Sequence, residues 1–118
     1  MRIIIAGSRS FDDYPTMVRA METVTEVWKP STVVCGCARG ADELGRRWAN
    51  ENGIPVDEYP ANWEAYGKAA GRLRNEAMAN NADCLVAFWD GSSTGTKHMV
   101  ELVRERGLKN IVFMYRKP

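Results

Sequence analysis

Five short apolar runs, separated by longer stretches of helical periodicity, are the feature that most constrains the fold of this 118-residue chain. Four of the runs are nearly continuous in apolar residues and cover residues 3–6, 32–35, 84–89 and 111–115. A weaker run covers residues 54–59. Strands that helices cover on both faces show such unbroken runs, whereas half-exposed strands alternate. The pattern therefore predicts buried parallel strands.

The stretches between the runs carry the start signals, stop signals and periodicity of α-helices. Asp12 or Asp13 is suited to cap the first helix, with Pro15 in its first turn. Gly53 and Gly107 are expected to end the second and the fourth helix. The side chains expected to face the sheet recur every three or four positions in four groups: Met17, Val18, Met21, Val24 and Trp28; Ala41, Leu44, Trp48 and Ala49; Ala69, Ala70, Leu73 and Ala77; and Thr96, Met99, Val100 and Val103.

The order of these elements, β-α-β-α-β-α-β-α-β, predicts the α/β class. Helical crossovers between parallel strands place helices on both faces of the sheet. We therefore expect a single small Rossmann-like domain over residues 1–118, with three α/β/α layers and a five-stranded parallel sheet. The chain is 45% hydrophobic and 26% charged, which is typical of a globular protein and not of a disordered one.

The charges of the chain nearly cancel, because 16 Lys and Arg residues face 15 Asp and Glu residues. This balance argues against attachment to nucleic acid or a membrane by bulk charge, but it leaves room for a local basic site. No apolar run approaches the roughly 20 residues that cross a bilayer. Residues 1–9 are too short and too soon charged to be a signal peptide. We expect a cytoplasmic protein with reduced cysteines.

Small sheets of this kind often assemble, and we expect a homo-oligomer. Exposed positions on the outer helices, including Trp28 and Trp48, are the expected contributors to the contact between subunits.

Glycine, hydroxyl and arginine side chains gather in the segments that follow the strands. In an open parallel sheet, ligands bind outside the carboxyl ends of the strands. Glycine lets backbone N–H groups approach a ligand, helix N-termini favour anions, and arginine offers phosphate a two-pronged donor. We therefore expect a phosphate-bearing nucleotide or nucleotide derivative as ligand. The candidate binding residues are Gly7, Ser8, Arg9, Gly36, Arg39, Gly40, Asp42, Arg74, Asn75, Asp90, Gly91, Ser92, Ser93, Gly95 and Thr96.

The segment 91–96, with two glycines and three hydroxyls before a helical stripe, is the strongest local signal for phosphate binding. Its backbone N–H and hydroxyl groups are expected to cradle phosphate, while Arg9, Arg39 and Arg74 neutralise it. It is not a Walker loop, because no Gly-Lys-Ser/Thr follows at the required spacing. The first loop does not match Gly-x-Gly-x-x-Gly either, because Arg9 stands at the second glycine.

Several of these residues have structural alternatives. Asp42 either caps the second helix or holds a sugar hydroxyl. Arg74 lies beside the apolar stripe of the third helix and needs a partner there, whereas Arg72 points away from it. Asn75 either reads a base or ribose or anchors a helix to the sheet. Trp63 either stacks on a base or packs, and packing is the commoner fate of tryptophan.

Metal chemistry has weak support in the sequence. Cys35, Cys37, Cys84 and the single histidine, His98, form the one metal-like set, and they lack paired ligand spacing. Cys35 and Cys84 are expected to face the core. His98 falls opposite the apolar stripe of its helix and is expected to be exposed to solvent. We therefore expect no metal site, and no cofactor is implied beyond the nucleotide-type ligand itself.

Four segments, taken together and in this order, resemble the YspA (cpYpsA-related) group of the SLOG superfamily: residues 7–11 (GSRSF), 36–42 (GCARGAD), 71–78 (GRLRNEAM) and 88–99 (FWDGSSTGTKHM). That superfamily joins the DNA-processing Smf/DprA proteins and the LOG-type nucleotide phosphoribohydrolases. The resemblance spans nearly the whole chain. It implies a Rossmann-like domain that binds a nucleotide-derived ligand of the ADP-ribose, NAD or AMP kind, in a bacterial or phage protein.

The resemblance to LOG enzymes is partial at the site of catalysis. Those enzymes carry Gly-Gly-x-Gly-Thr-x-x-Glu, and alignment on Gly95-Thr96 places Met99 at the catalytic glutamate. Glu101 is turned about 200° away on the helix and is a poor substitute. Asp42 and Asp90 are the remaining carboxylates near the expected site and are the candidate catalytic residues.

Three functions therefore stay open at the level of sequence. The leading one is a sensor or binding protein for a nucleotide derivative. The alternative is an N-glycosidic hydrolase that acts on such a ligand. The third, binding of single-stranded DNA, rests on the kinship with DprA, and the near-neutral charge and lack of a basic-aromatic stripe count against it.

Overall fold

The computed structural model of this chain describes residues 1–116. Its strands are β1 (Arg2–Gly7), β2 (Thr32–Cys35), β3 (Val56–Glu58), β4 (Cys84–Trp89) and β5 (Lys109–Met114). Its helices are α1 (Tyr14–Val27), α2 (Ala41–Glu51), α3 (Trp63–Tyr66), α4 (Ala70–Asn80) and α5 (Thr94–Glu105), and a 3₁₀ turn (Gly67–Ala69) joins α3 to α4. The expected alternation of strands and helices is confirmed, and α3 with its 3₁₀ turn is an addition to it.

The five strands form one parallel sheet in the order β3-β2-β1-β4-β5. The chain builds one half of the sheet outward from β1, then crosses back to build the other half from β4. The order of strands therefore reverses between β1 and β4, where Gly7 pairs with Phe88. This is the Rossmann-like architecture that the sequence predicts, and ligands of such sheets bind at the carboxyl ends of the strands beside the reversal.

Alternate residues of the central strand serve two separate cores, one on each face of the sheet. Ile3 and Ile5 belong to a cluster with α1 and α2, which also holds Met17, Met21 and Trp48. Ile4 and Ala6 belong to a cluster with α4 and α5, which also holds Met78, Val100 and Val103. Because both faces of β1 are covered, its apolar run is continuous rather than alternating. The three α/β/α layers follow from this arrangement.

The expectation that Trp28 and Trp48 are exposed is wrong. Only 7% of Trp28 and 5% of Trp48 is accessible to solvent, and both pack in the cluster beneath α1 and α2. Each belongs to the stripe that the sequence predicts to face the sheet, and that prediction is confirmed: Trp28 follows Val24 by four positions, and Trp48 follows Leu44 by four. The two tryptophans therefore stabilise the core and offer no surface for subunit contact.

The stripe of the third predicted helix is also displaced. Leu73 is 41% exposed. The inward line of α4 runs instead through Ala70, Arg74 and Met78, each four positions from the last, with the buried Asn75 beside it. Polar residues lie on this inward line because the first half of α4 passes the end of the sheet. That part of the helix faces a cavity instead of a strand.

The start and stop signals of the helices are mostly confirmed. The side chain of Asp13 accepts a hydrogen bond from the backbone N–H of Thr16 at 3.1 Å and caps α1, with Pro15 in the first turn. Gly53 and Gly107 follow α2 and α5 in the left-handed region, with φ of 67° and 69°. The last strand departs from expectation, because β5 is an edge strand and is half-exposed. Within residues 1–116, no helix combines the length and apolar character that a membrane crossing requires.

Candidate functional site

A cavity of about 730 Å³ opens at the carboxyl ends of β1 and β4. A second cavity of about 300 Å³ adjoins it, and Arg9, Ala38, Trp63 and Arg74 line both. The main cavity is lined by ten of the predicted binding residues: Gly7, Ser8, Arg9, Asp42, Arg74, Asn75, Asp90, Ser93, Gly95 and Thr96. Gly36 and Arg39 line the smaller cavity. Gly40, Gly91 and Ser92 line neither of them.

Ser8 joins three elements at the floor of the main cavity. Its backbone N–H donates to the carbonyl of Phe88 at 2.9 Å, and its own carbonyl accepts from the N–H of Ala41 at 3.3 Å. Its hydroxyl oxygen accepts from the N–H of Asp90 at 3.1 Å. Only 1% of Ser8 is exposed. These contacts tie the ends of β1 and β4 to the start of α2, so Ser8 shapes the cavity from below.

Glycines near Ser8 allow backbones to approach more closely than a Cβ permits. A Cβ at Gly7 would lie 2.1 Å from the carbonyl oxygen of Phe88. Gly40, at φ +80°, precedes α2, and a Cβ there would lie 2.4 Å from the carbonyl oxygen of Ser8. Close packing against neighbouring backbone therefore explains why glycine occupies positions 7 and 40.

The loop after β4 is organised by the side chain of Asp90. Its Oδ1 accepts hydrogen bonds from the backbone N–H groups of Ser92 at 2.8 Å and Ser93 at 2.9 Å. These two bonds, opposed by desolvation and aided by the Ser8 hydroxyl, hold the pKa of Asp90 below its usual value. The amides of Ser92 and Ser93 thus serve the loop itself. Their role as donors to phosphate, which the sequence suggests, stays a prediction, and it would require them to share or leave the Asp90 carboxylate.

The first turn of α5 supplies the donors that remain at this edge. Ser93 caps the helix, and its Oγ accepts from the N–H of Thr96 at 3.4 Å and from the Thr96 hydroxyl at 3.0 Å. The preceding N–H groups, of Thr94 and Gly95, lie in the first turn, where a helix provides no internal acceptor. Both residues line the main cavity. The positive end of the helix dipole therefore adjoins the cavity.

Arg74 is held by two of its five N–H donors. Its Nη1 donates to the carbonyl of Gly36 at 2.5 Å, and its Nε donates to Oδ1 of Asn75 at 3.0 Å. A Cβ at Gly36 would lie 2.7 Å from Asp42 Oδ2 and 3.0 Å from Arg74 Nη1. Within residues 1–116 the hydrogen bonds of Arg74 use two of its five N–H donors, so the guanidinium is fixed in place and keeps donors for a ligand.

Asp42 is a buried carboxylate in the first turn of α2 and is only 6% exposed. Burial raises its pKa to about 6, although the N–H of Ala38, the charge of Arg74, the N–H of Gly7 and the charge of Arg9 oppose this rise. Its Oδ2 lies 3.2 Å from the N–H of Ala38. The side chain lines the main cavity, so a group that gains and loses a proton near neutral pH faces the site.

Asn75 anchors α4 to α5, whereas the structural alternative considered for it was an anchor between a helix and the sheet. Its amide contacts Arg74, the carbonyl of Gly95 at 3.2 Å and Nδ1 of His98 at 3.1 Å. The expectation that His98 is exposed to solvent is wrong. The ring is half-buried and lines the main cavity, because its side chain leans back toward the start of α5 and meets Asn75.

Three cavity residues were undervalued by sequence reasoning. Arg72 points away from the core, as expected, and yet its side chain lines the main cavity. Lys68 lines it from the 3₁₀ turn. Trp63 is 52% exposed and lines both cavities, so of its two alternatives the structure excludes packing in the interior and leaves stacking on a base as a prediction. The concentration of cationic and aromatic residues in the segment 63–72 is the sequence pattern that could have indicated their place in the cavity.

Two further expectations from the sequence concern Met99 and the buried cysteines. Met99 is buried on the inward face of α5 at the position where LOG enzymes carry glutamate, and Glu101 is exposed and pairs with Lys97. Cys35 and Cys84 face the core, as expected. Desolvation raises the pKa of the Cys35 and Cys84 thiols to about 12 and about 11, so neither is a ready nucleophile.

Sequence comparison supplies the family. The sequence model of the YspA, cpYpsA-related SLOG family matches residues 1–66, which is more than half of the chain. This chain belongs to that family. The matched YspA region runs from β1 through α3 and contains the first two glycine-arginine loops of the site.

A relative extends the similarity beyond the region matched by the YspA family. The Gene 61 protein of Mycobacterium phage D29 is 37% identical over 121 residues, covering 95% of this chain and 95% of the phage protein. The YspA resemblance is confirmed by the family model, whose matched region contains the first two of the four sequence segments. The segments around Arg74 and Gly95, which complete the cavity, lie outside residues 1–66 and within the chain length shared with the phage protein.

Proposed function

We propose that this protein binds a phosphate-bearing nucleotide or nucleotide derivative, of the ADP-ribose, NAD or AMP kind, as a sensor or binding protein. One observation carries the proposal: Arg9, Lys68, Arg72 and Arg74 line one cavity, and within residues 1–116 none of them forms an ion pair with a carboxylate. Asp42 and Asp90 also line this cavity, so four cationic side chains face two carboxyl groups and positive charge is in excess. An excess of positive charge around a concave site attracts anions, and the near-zero net charge of the whole chain hides this local excess.

The size and polarity of the cavity support the same ligand class. Ligand pockets typically enclose roughly 300–1,000 Å³, and the main cavity encloses about 730 Å³. The N–H groups of Thr94 and Gly95 and the fixed guanidinium of Arg74 are suited to phosphate oxygens. Arg39 lines the smaller cavity and adds a further positive charge beside the cations of the main cavity.

An exposed aromatic ring supports a base or a comparable flat group as part of the ligand. Trp63 lies beside both cavities, and its Cη2 would be 3.5 Å from a Cβ placed on Gly71. About half of the residue is exposed to solvent, which is unusual for tryptophan in a folded protein. Stacking of a base on an aromatic ring contributes about 1–3 kcal/mol in nucleic-acid complexes.

Calorimetric titration tests this proposal. The purified chain is titrated with AMP, ADP-ribose, NAD and cyclic nucleotides at physiological ionic strength. Saturable binding of at least one of them is expected, with quenching of tryptophan fluorescence for ligands that carry a base. Absence of binding of every ligand at millimolar concentration overturns the proposal.

A second function, N-glycosidic hydrolysis of such a ligand, is favoured by the two carboxylates of the cavity. Burial raises the pKa of Asp42 to about 6, whereas hydrogen bonds from Ser92 and Ser93 keep the pKa of Asp90 below its usual value. Glycoside hydrolysis uses such a pair, in which one carboxyl carries a proton and the other stays ionised. Product formation from the same ligands, and its loss in Asp42→Asn or Asp90→Asn, tests this function. Wild-type turnover in both variants rejects the assignment.

A further inference from the structure

The amide of Asn75 occupies the centre of a chain of polar contacts that crosses from α4 to α5. Only 7% of the residue is exposed. Its Oδ1 faces Nε of Arg74 at 3.0 Å, and its Nδ2 faces both the carbonyl of Gly95 at 3.2 Å and Nδ1 of His98 at 3.1 Å.

Two of these partners decide which way the amide faces. The Nε of Arg74 can only donate, so the atom opposite it must be the oxygen of Asn75. The carbonyl of Gly95 can only accept, so the atom opposite it must be the amide nitrogen. A flipped amide would set two donors against each other at Arg74 and two acceptors against each other at Gly95. The hydrogen-bonding partners therefore determine the orientation of the Asn75 amide.

The same logic fixes the proton of His98. Because the amide nitrogen of Asn75 donates toward Nδ1 of His98, that ring nitrogen must accept. The proton of the neutral imidazole then resides on Nε2. A second proton on Nδ1 would face the N–H groups of Asn75 and would disrupt the contact. The charged groups that bear on this ring are Arg72 and Glu76 from α4 and Glu101 and Glu105 from α5.

The position of the ring indicates what the Nε2–H group meets. Side chains on a helix lean toward its N-terminus, and His98 accordingly lies over Gly95 in the first turn of α5. The ring lines the main cavity, next to the turn whose N–H groups and dipole favour an anion.

We propose that His98 contacts the ligand, donating a hydrogen bond from Nε2 to a phosphate oxygen seated at the first turn of α5. This inference rests on the proposed function, since it requires a phosphate-bearing ligand in the main cavity. Asn75 has the role of a positioning residue: it orients Arg74 with its oxygen and His98 with its nitrogen, so both donors point to one anion.

Two variants of His98 separate ligand contact from a purely structural role. In His98→Asn the amide reaches the place of Nδ1 and keeps an acceptor for Asn75, but the donor at the place of Nε2 is lost. In His98→Gln the amide reaches the place of Nε2 and keeps that donor. We expect ADP-ribose to bind His98→Asn about tenfold more weakly than the wild type and His98→Gln within about threefold of it. The reverse order, or wild-type affinity in both variants, overturns the proposal.

Imidazole NMR provides a second readout, because His98 is the single histidine of the chain. Long-range ¹H–¹⁵N spectra of the free protein are expected to show the proton on Nε2, and ADP-ribose is expected to shift the Nε2 signal. A proton on Nδ1, or an Nε2 signal that stays in place at saturating ADP-ribose, overturns the proposal. If both variants bind ADP-ribose weakly, the NMR spectrum of the wild type decides. A shift of the Nε2 signal on addition of ADP-ribose then supports the proposal, and an unchanged Nε2 signal contradicts it.

The outcomes also separate this inference from the proposed function. If the wild-type protein binds ADP-ribose and His98→Asn binds it equally well, the inference about His98 fails and the proposed function stands. If the wild-type protein binds none of AMP, ADP-ribose, NAD and cyclic nucleotides, the proposed function itself fails, while the spectrum of the free protein still tests the geometry of Asn75 and His98.

Discussion

The Nε of Arg74 donates to Oδ1 of Asn75 at 3.0 Å, although adjacent residues on a helix do not normally face each other. The contact forms because Nη1 of the same guanidinium is drawn to the carbonyl of Gly36 at 2.5 Å, at the end of β2. The cation is thus held between its own helix and the sheet. A group fixed in this way loses little conformational freedom when it meets an anion, which favours binding.

The first prediction concerns the anchor itself. Asn75→Ala is expected to lower the free energy of unfolding by about 1–3 kcal/mol, because the carbonyl of Gly95 and the Nε of Arg74 lose a buried partner. Urea denaturation monitored by circular dichroism measures the change. Asn80→Ala, an exposed change on the same helix, is the matched control and is expected to stay within about 0.5 kcal/mol of the wild type. Equal stability of the two variants contradicts the anchoring role.

The second prediction compares two glycines of the predicted site. In Gly36→Ala the new Cβ meets Asp42 Oδ2 at 2.7 Å and Arg74 Nη1 at 3.0 Å, so these groups must move apart. We expect a loss of stability of about 1–3 kcal/mol, as for overpacked interiors. In Gly95→Ala the Cβ would meet no atom of residues 1–116 within 4 Å apart from its chain neighbours and the backbone of its own helix, and stability is expected to be unchanged or higher. Thermal unfolding of both variants checks the contrast, which a similar loss in both of them would refute.

The fold was largely predictable because its signals are local and repeated. Continuous apolar runs reflect strands covered on both faces, and helical stripes such as Thr96, Met99, Val100 and Val103 report which side meets the sheet. The errors arose where local pattern and position in the sheet disagree. Leu73 continues an apolar spacing but is 41% exposed, because the inward line of α4 runs through Ala70, Arg74 and Met78. β5 reads as a fully buried strand but has a neighbour on one side only.

The location of the site was predictable, and the individual roles were less so. Parallel strands place the loops after β1 and β4 at one edge, so the neighbourhood of Arg9, Arg74 and Asp90 follows from the order of elements. Hydrogen-bond partners do not follow from it. The amides of Ser92 and Ser93 are taken by Asp90, which no spacing rule reveals. The direction of the His98 side chain likewise depends on Asn75, 23 positions away.

The third prediction concerns the charge of the cavity. Arg9 is exposed, lines both cavities and forms no ion pair within residues 1–116. Arg9→Ala is therefore expected to change stability by less than about 0.5 kcal/mol. It is expected to weaken the binding of ADP-ribose about tenfold and to reduce the dependence of binding on salt.

Arg106→Ala is the matched control for Arg9→Ala. It removes another exposed arginine, at the far end of α5, which lines neither cavity. Titration of the two variants at two salt concentrations separates a local effect from a change in net charge. Equal weakening in both variants means that overall charge, and not the cavity, attracts the ligand.

The fourth prediction is a dependence of stability on pH that originates at Asp42. Its pKa rises from 3.8 to about 6 on folding, chiefly by burial, so the folded protein binds this proton more tightly than the unfolded chain does. The resulting stabilisation is fully present below pH 3.8 and is lost as the pH rises through 6. The free energy of unfolding of the wild type, relative to Asp42→Asn, is expected to fall by about 3 kcal/mol between pH 3.5 and pH 7. Subtracting the variant cancels the other carboxylates, and Glu43→Gln, an exposed change in the same helical turn, is expected to leave the profile unaltered. A pH-independent difference between the wild type and Asp42→Asn shows that burial does not raise the pKa of this carboxyl group.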